Sequence, residues 1–496
     1  MRQAPTLPLS RGAIGTGSLV VGAAGVATAI GALPLPAAGI LAVGLPALVA
    51  SIAIPRVTLV LLLFSIPFSS WTKVSVGAFD VTSTDVLVGI LMGAWVLRSI
   101  TQNRIVMRGG PAIGAACVLL GAEIIASTTA TSFPSAIKEM LKLGELLALA
   151  VYGASMLRAH GDLRFVFWTF MAAGVTEACV GLFQFLTGRG PESFAIGPFI
   201  RAYGDFAQPN AFAGYLAMLL PFGIAWSVLS RQRRVGAMVA TTILATALLA
   251  SMSRGAWLGT GIGIAVMALV LSKHAKRVLA LGAGLVVLMI PAARIGLIPR
   301  SIADRLTVIL DNYWIFDVRK VQPEPGNWAL VERMAHWQAG WDMAMDHPIT
   351  GVGPGNYEAV YRDYYLGSWV EALGHAHNLY LNMFAETGII GLAAFVALTI
   401  VVFVRIIQSL RLTTRPEVLE AVPSDELLMR RIMLVGALGA AATFSVHNTF
   451  DNMFIHGMGV QFGLILGLVE AQHAMLSAHL RPSEPIPASS ILRAST

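Results

Sequence analysis

His377 and Asn378 stand at the head of an apolar run that continues to about Val404, and no other pair in the chain is better suited to moving a proton. Imidazole titrates near neutral pH and can take a proton from a hydroxyl as it attacks. Asn382 and Glu386 follow four residues apart, on one face of the predicted helix and within hydrogen-bonding reach of each other. Glu386 lies on roughly the opposite side of that helix from His377, so it is expected to support the site rather than touch the same atom. His375 is not followed by an asparagine and is expected to be structural.

Anion chemistry is offered by two arginines. Arg201 precedes Tyr203-Gly204 and the turn Pro209-Asn210, with Asn210 the expected N-cap of the next helix. A helix start beside an arginine is a natural anion site, although an arginine among headgroups reads the same way. Arg254, in Ser253-Arg254-Gly255-Ala256-Trp257, lies between two apolar runs with almost no loop. It is either a phosphate ligand or an arginine snorkelling beside its tryptophan. His447, with Asn448, Asp451 and Asn452, lines a further turn and is assigned a supporting role.

These residues need a bilayer around them. The 496 residues are 56% hydrophobic and only 12% charged, and the mean hydropathy is +0.72. Such a chain is a polytopic membrane protein rather than a soluble multidomain one. The net charge of +7 collects in short loops, as cytoplasmic connections require, and implies no nucleic-acid partner. Cys117 and Cys179 fall in apolar runs, so neither a disulfide framework nor a metal site is expected. No Walker loop, CxxC pair, GxSxG or paired Asp-x-Asp stands out, and no cofactor is called for. Arg2 and Arg11 before an apolar run resemble a secretory signal, but the run is read as a retained first helix because more spans follow.

Apolar windows predict spans at roughly 12–32, 37–53, 56–69, 83–100, 112–129, 136–157, 163–186, 211–229, 235–252, 255–272, 277–293, 378–405, 430–447 and 453–474. The fold class is therefore all-α, a bundle of about 12–14 transmembrane helices at ~20 residues per crossing. Arginines and lysines in alternate short connections, among them Arg104, Arg108, Arg158, Arg164, Arg231, Arg233, Lys273, Arg405 and Arg431, put those loops and both termini in the cytoplasm. The chain then divides into an N-terminal bundle (1–293), a large external loop (294–376), C-terminal helices (377–480) and a cytoplasmic tail (481–496). Arg201, Arg254, His377 and His447 all fall at external helix ends. The loop carries an amphipathic helix with Leu330, Met334, Trp337, Trp341 and Met345 on its apolar stripe. Glu123, Lys138, Lys142 and Glu145 form an expected buried ionic cluster, with Lys142 and Glu145 three residues apart and Glu123 a partner from the preceding helix.

Taken together, these segments resemble the O-antigen ligase and polymerase superfamily of bacterial envelope glycosyltransferases. His377-Asn378, nine residues, Gly388, two residues and Gly391 are similar to the ligase histidine motif. The Arg201 block, Ser253-Arg254-Gly255 and Asp346-His347-Pro348 to Asn356 resemble its arginine and loop segments. The resemblance implies a multi-pass protein of the bacterial inner membrane with its active site facing the periplasm. It implies metal-independent, inverting transfer of a glycan from undecaprenyl diphosphate to an acceptor hydroxyl. Arg201 and Arg254 would bind the donor diphosphate, His377 would be the base, and Asn210, Asn378, Glu386 and His447 would support them. The expected partners are the lipid-linked glycan, an acceptor glycolipid or lipid-linked repeat unit, the bilayer and a chain-length regulator. The histidine motif favours a ligase with lipid A–core as acceptor, and an O-antigen or exopolysaccharide polymerase is the alternative. A lipid or polysaccharide transporter or flippase is the reading from another class, for which related halves would be expected. No internal repeat is evident.

Overall fold

The computed structural model describes residues 49–50, 53–76, 79–232, 234–272, 275–295, 297, 317–324 and 327–480. The expected span 12–32, most of 37–53, the basic residues Arg2, Arg11, Arg233 and Lys273, part of the external loop and the tail 481–496 lie outside the described residues.

Helices dominate, and the expected all-α polytopic fold is what the chain adopts. The first five are α1 (Pro55–Ser65), α2 (Ser83–Thr101), α3 (Pro111–Ala126), α4 (Phe133–Met156) and α5 (His160–Thr187). Next come α6 (Pro209–Leu229), α7 (Arg234–Ala250), α8 (Arg254–Leu271) and α9 (Ala275–Arg294). The loop contributes α10 (Trp328–Asp346) and the single turn α11 (Tyr357–Val360). The chain closes with α12 (Leu379–Leu412), α13 (Pro416–Ala421), α14 (Ser424–His447) and α15 (Met458–Ala478). Two short antiparallel hairpins, β1 (Val74–Val76) with β2 (Phe79–Val81) and β3 (Ala195–Ile196) with β4 (Phe199–Ile200), decorate helix connections.

Local chemistry explains many of the helix starts. Proline opens α1, α3, α6 and α13, where its missing N–H costs nothing and its fixed φ suits the first turn. Thr82 and Asp85 form a reciprocal capping box at the head of α2. Among the described residues, seven helices are long and apolar enough to cross a bilayer: α2, α3 with its trailing 3-10 turn, α5, α6, α8, α12 and α14. The expected span at 56–69 is instead the short α1, stopped by a 3-10 turn at Pro67–Ser70. Proline cannot supply the N–H that would continue the helix.

Helices α6 and α14 form the centre of the bundle, with 78% and 83% of their apolar windows buried, against 28% for α2 and α8. Glycine lets the neighbours close in. A Cβ on Gly259 of α8 would lie 2.8 Å from the Thr443 carbonyl oxygen of α14, and one on Gly463 of α15 would lie 2.2 Å from that of Leu146 in α4. In lipid, where apolar burial adds little between helices, such backbone approach supplies much of the adhesion.

The predicted stripe of α10 is split: Met334 is buried along with Val331, Ala335, Ala339 and Met343, while Trp341 and Met345 are about half exposed. The small residues face α12 because they allow closer helix contact than the large ones do. Lys142 does not pair with Glu145 but with Glu139, three residues before it, at 2.5 Å. Lys138 reaches Asp80 at 3.8 Å, and Glu123 keeps a buried Oε2 with no hydrogen bond among the described residues. The lysine is thus answered within α4, without closing the gap to α3.

Candidate functional site

The site forms where three helix connections meet. Asn378 caps α12, its Oδ1 accepting the Leu381 N–H at 3.1 Å, and the Leu379 N–H donates to the Asn448 carbonyl at 2.8 Å. This ties the head of α12 to the turn after α14. His377, just ahead of the cap, adopts φ +51°, and Leu373 and Gly374 are also left-handed. Such a backbone costs a non-glycine residue about 1–3 kcal/mol and persists only where surrounding contacts impose it.

Those contacts are polar. His377 Nδ1 faces Asp451 Oδ1 at 3.6 Å, and His375 Nε2 faces the same oxygen at 3.9 Å. The His375 ring lies 4.5 Å from that of His377, and its Nδ1 accepts the His377 N–H at 3.0 Å. The proton of neutral His375 therefore sits on Nε2, towards the carboxylate. His336 of α10 meets His377 edge to face at 5.4 Å, and Trp337 Nε1 donates to the His377 carbonyl at 3.3 Å. Asp451 also accepts from Asn210 Nδ2 at 3.0 Å. Asn210 Oδ1 in turn accepts from Arg201 Nη2 at 2.8 Å, while Arg201 Nε donates to the Ser251 carbonyl at 2.7 Å. A continuous polar chain thus links Arg201 to His377 through Asn210 and Asp451.

The Arg201 turn is held from below by α5. Gln184 brackets Gly204, accepting its N–H at 2.8 Å and donating to its carbonyl at 2.9 Å, and Glu177 accepts the Asp205 N–H at 2.7 Å. The Ala202 N–H donates to the Ala250 carbonyl at 3.0 Å, which sets Arg201 against the sharp α7–α8 turn that carries Arg254. His447 lies beneath that turn. A Cβ on Gly255 would come within 3.0 Å of its ring, and one on Gly214 within 3.4 Å, so His447 packs between α6 and α8.

Burial and charge shape the titration of this cluster. Desolvation lowers His336 to about 3 and His375 to about 4, with the neighbouring His377 adding to both. Burial alone would raise Asp451, but the facing His377 and the charges of His375 and Arg333 outweigh it and hold the carboxyl well below its usual range. His375, His377 and Asp451 bring ligand-type atoms within 4.8 Å of one another, a spacing that also suits a metal ion. The tautomer of His375 turns an N–H rather than a lone pair towards that point, which fits a shared carboxylate better.

Several sequence expectations change. Asn210 is not the N-cap of α6, for Gln208 holds that position and Pro209 takes the first turn. The asparagine amide is freed to bridge Arg201 and Asp451. His375, expected to be structural, is a second imidazole facing the same carboxylate, and its Nδ1 holds the His377 N–H. Asn382 and Glu386 have other partners than each other: Asn382 Oδ1 accepts the Ala376 N–H at 3.0 Å, and Glu386 Oε1 accepts the Tyr357 N–H at 3.0 Å. Glu386 thereby pins the glycine-rich loop to α12. Gly388 breaks that helix at φ +62°, and a Cβ there would meet the Ile349 carbonyl oxygen at 2.2 Å. The spacing from His377 to Gly388 thus measures the distance from the site to the point where the loop plugs into the helix.

Sequence reasoning gave Asp451 too little weight and missed His336 and Arg333. Arg333, on α10, is partly buried and has no hydrogen bond or ion pair among the described residues, yet its charge acts on Asp451, His375 and His447. The available signal was its position four residues before Trp337, on the helix face that reaches the His377 carbonyl.

The fold and site define a multi-pass helical membrane protein with a histidine–carboxylate pair joined to basic groups at one end of the bundle. Residues 237–396 match the family model described as O-antigen ligase (Wzy_C), which supports the likeness to the O-antigen ligase superfamily read from the sequence. The match contains Arg254, Arg333, His377, Gly388 and Gly391, whereas Arg201, Asn210 and Asp451 lie outside it. No curated protein matches the chain.

Proposed function

We propose that the chain transfers a glycan from a polyprenyl-diphosphate donor to a sugar hydroxyl, with His377 as general base. The observation that carries this reading is the polar chain from Arg201 through Asn210 and Asp451 to His377, which joins an anion ligand to a proton acceptor. In this mechanism His377 Nδ1–H points to Asp451, leaving the lone pair on Nε2. That nitrogen takes the acceptor hydroxyl proton as the oxygen attacks the anomeric carbon. The bond from that carbon to the diphosphate oxygen breaks, and its electron pair leaves with the diphosphate. One displacement gives inversion. Arg201, Arg254 and Arg333 neutralise the charge growing on the leaving group, which preorganised cations do without needing a metal. Asp451 holds the ring and stabilises the imidazolium. Asn378 and Glu386 serve indirectly, by fixing the start of α12 and its loop, and His447 by packing beneath Arg254.

We assign this site to the periplasmic face of a bacterial inner membrane, because the arginine-rich short loops lie at the other helix ends. Lipid A–core is the favoured acceptor, on the histidine motif. The polymerase reading, with a second lipid-linked repeat as acceptor, is the alternative. Both are tested by giving the reconstituted protein undecaprenyl-diphosphate-linked glycan with and without lipid A–core and sizing the products. Product that requires core supports the ligase. Longer lipid-linked chains without core support the polymerase. Failure of the wild-type protein to transfer to either acceptor contradicts the proposal.

A further inference from the structure

At the opposite end of α14 from His447 a second charged group assembles, built almost entirely of arginine. Arg430 and His447 are about 25 Å apart along the helix, at roughly 1.5 Å per residue. Arg430 is 2% exposed, and its Nη2 donates to the Arg158 carbonyl at 3.3 Å. Arg158 lies in the α4–α5 connection, and among the described residues its guanidinium finds only the Ala154 carbonyl at 3.4 Å and the Met475 sulfur at 3.1 Å. Arg108 enters from the α2–α3 connection, its backbone N–H donating to Ser155 Oγ at 2.9 Å.

One carboxylate answers Arg430. Glu426 accepts from Arg430 Nε at 3.0 Å and Nη2 at 2.5 Å. Arg430 Nη1 is buried with no hydrogen-bond partner among the described residues, and neither Arg108 nor Arg158 forms an ion pair there. Two other acids at this end are paired, Glu470 with Arg405 and Asp162 with Arg56, each at 2.8 Å, and Asp425 lies 3.7 Å from His160. Burial, then the charges of Arg108 and Arg430, push the Arg158 guanidinium down from its usual range. Two helix connections and the start of α14 thus bring like charges together and leave a buried donor unanswered among the described residues, an arrangement that an anion would complete.

We propose that Arg108, Arg158 and Arg430 form a phosphate-binding site at the membrane surface remote from His377, and that it takes the headgroup of an anionic phospholipid. Arg430 lies in the second turn of a membrane-spanning helix, at the depth of lipid phosphates. Basic pockets between helices recognise such headgroups. The bound phosphate ties α3, α4 and α14 together at the end of the bundle away from the histidines.

The test uses the full-length protein in mixed nanodiscs of phosphatidylglycerol and phosphatidylcholine, with retained lipid counted by native mass spectrometry after extraction. Wild type is expected to retain phosphatidylglycerol selectively, and retention should fall roughly fivefold for each arginine lost in Arg108→Gln and Arg158→Gln. Arg158→Lys, which keeps the charge, should retain more than Arg158→Gln and controls for misfolding. Inorganic phosphate added in detergent reads the shared chemistry alone. If it raises the melting temperature of wild type but not of Arg158→Gln, and lipid retention shows no preference, the ligand is free phosphate and the lipid assignment falls. Equal retention of both lipids with no phosphate effect overturns the site itself.

Discussion

Two polar clusters sit in the same bundle and are built on different plans. The carboxylate of Asp451 is answered by His375, His377 and Asn210, which come from two other helix connections, and beyond Asn210 by Arg201. The cluster around Lys142 is closed locally, with Glu139 three residues away taking the lysine and Glu123 left with an unanswered oxygen. Bringing groups together from distant segments costs more chain ordering than pairing along one helix. A left-handed backbone at His377 adds to that cost. The first cluster has the marks of a working site, and the second those of a structural repair within lipid.

The largest break in this contrast should come from His377→Ala. Transfer, measured as single-turnover formation of product, should fall about 10²–10⁴-fold, the usual worth of a positioned general base. Arg201→Lys should come next. Lysine keeps the charge but cannot serve both Ser251 and Asn210 from one planar fork, so an increase in donor KM and a drop in kcat are expected in steady-state assays. Asp451→Asn should cost roughly tenfold to a hundredfold in kcat, the equivalent of about 1.5–3 kcal/mol for a hydrogen bond to a charged group. On the other side of the comparison, Glu123→Gln should leave transfer within about twofold, since a neutral amide suits a buried site without a counter-charge. A large loss there would mean that the second cluster also serves the reaction.

Acidification sharpens the contrast. His336 and His375 are held neutral, at about 3 and about 4 against an ordinary 6.5. The unfolded chain then binds more protons than the folded one between those values. Their contribution to stability is full above about pH 6.5 and is lost progressively as pH falls towards 4. Melting temperature should therefore drop between pH 7 and pH 5. His336→Gln, which removes one of the two groups, should flatten that dependence.

Much of this was legible from residue order alone. Hydropathy located every described helix from α2 through α9, and α12, α14 and α15, because lipid leaves the backbone few alternatives, whereas the short polar α13 gave no apolar window. Arg201, Arg254 and His377 drew attention because a charge or imidazole at the edge of an apolar run needs a reason, and Arg201 and His377 lie on one polar chain. Partnerships were not. Asn210 looked like a cap because sequence shows only its local turn, whereas its amide was taken by residues far along the chain. The partner of His375 was not legible because its carboxylate arrives from beyond α14. Arg333 was hidden because its helix reads as an apolar stripe, although Trp337, four residues on, shares its face and reaches the His377 carbonyl.

The most direct test of the account compares His377→Ala with His375→Ala in the same single-turnover transfer assay, with donor and acceptor saturating. Both imidazoles face Asp451, but only His377 is assigned the lone pair that takes the proton. The account predicts that His377→Ala loses the chemical step while His375→Ala retains most of it. Full activity in His377→Ala, or abolition by His375→Ala alone, would contradict the assignment of the base.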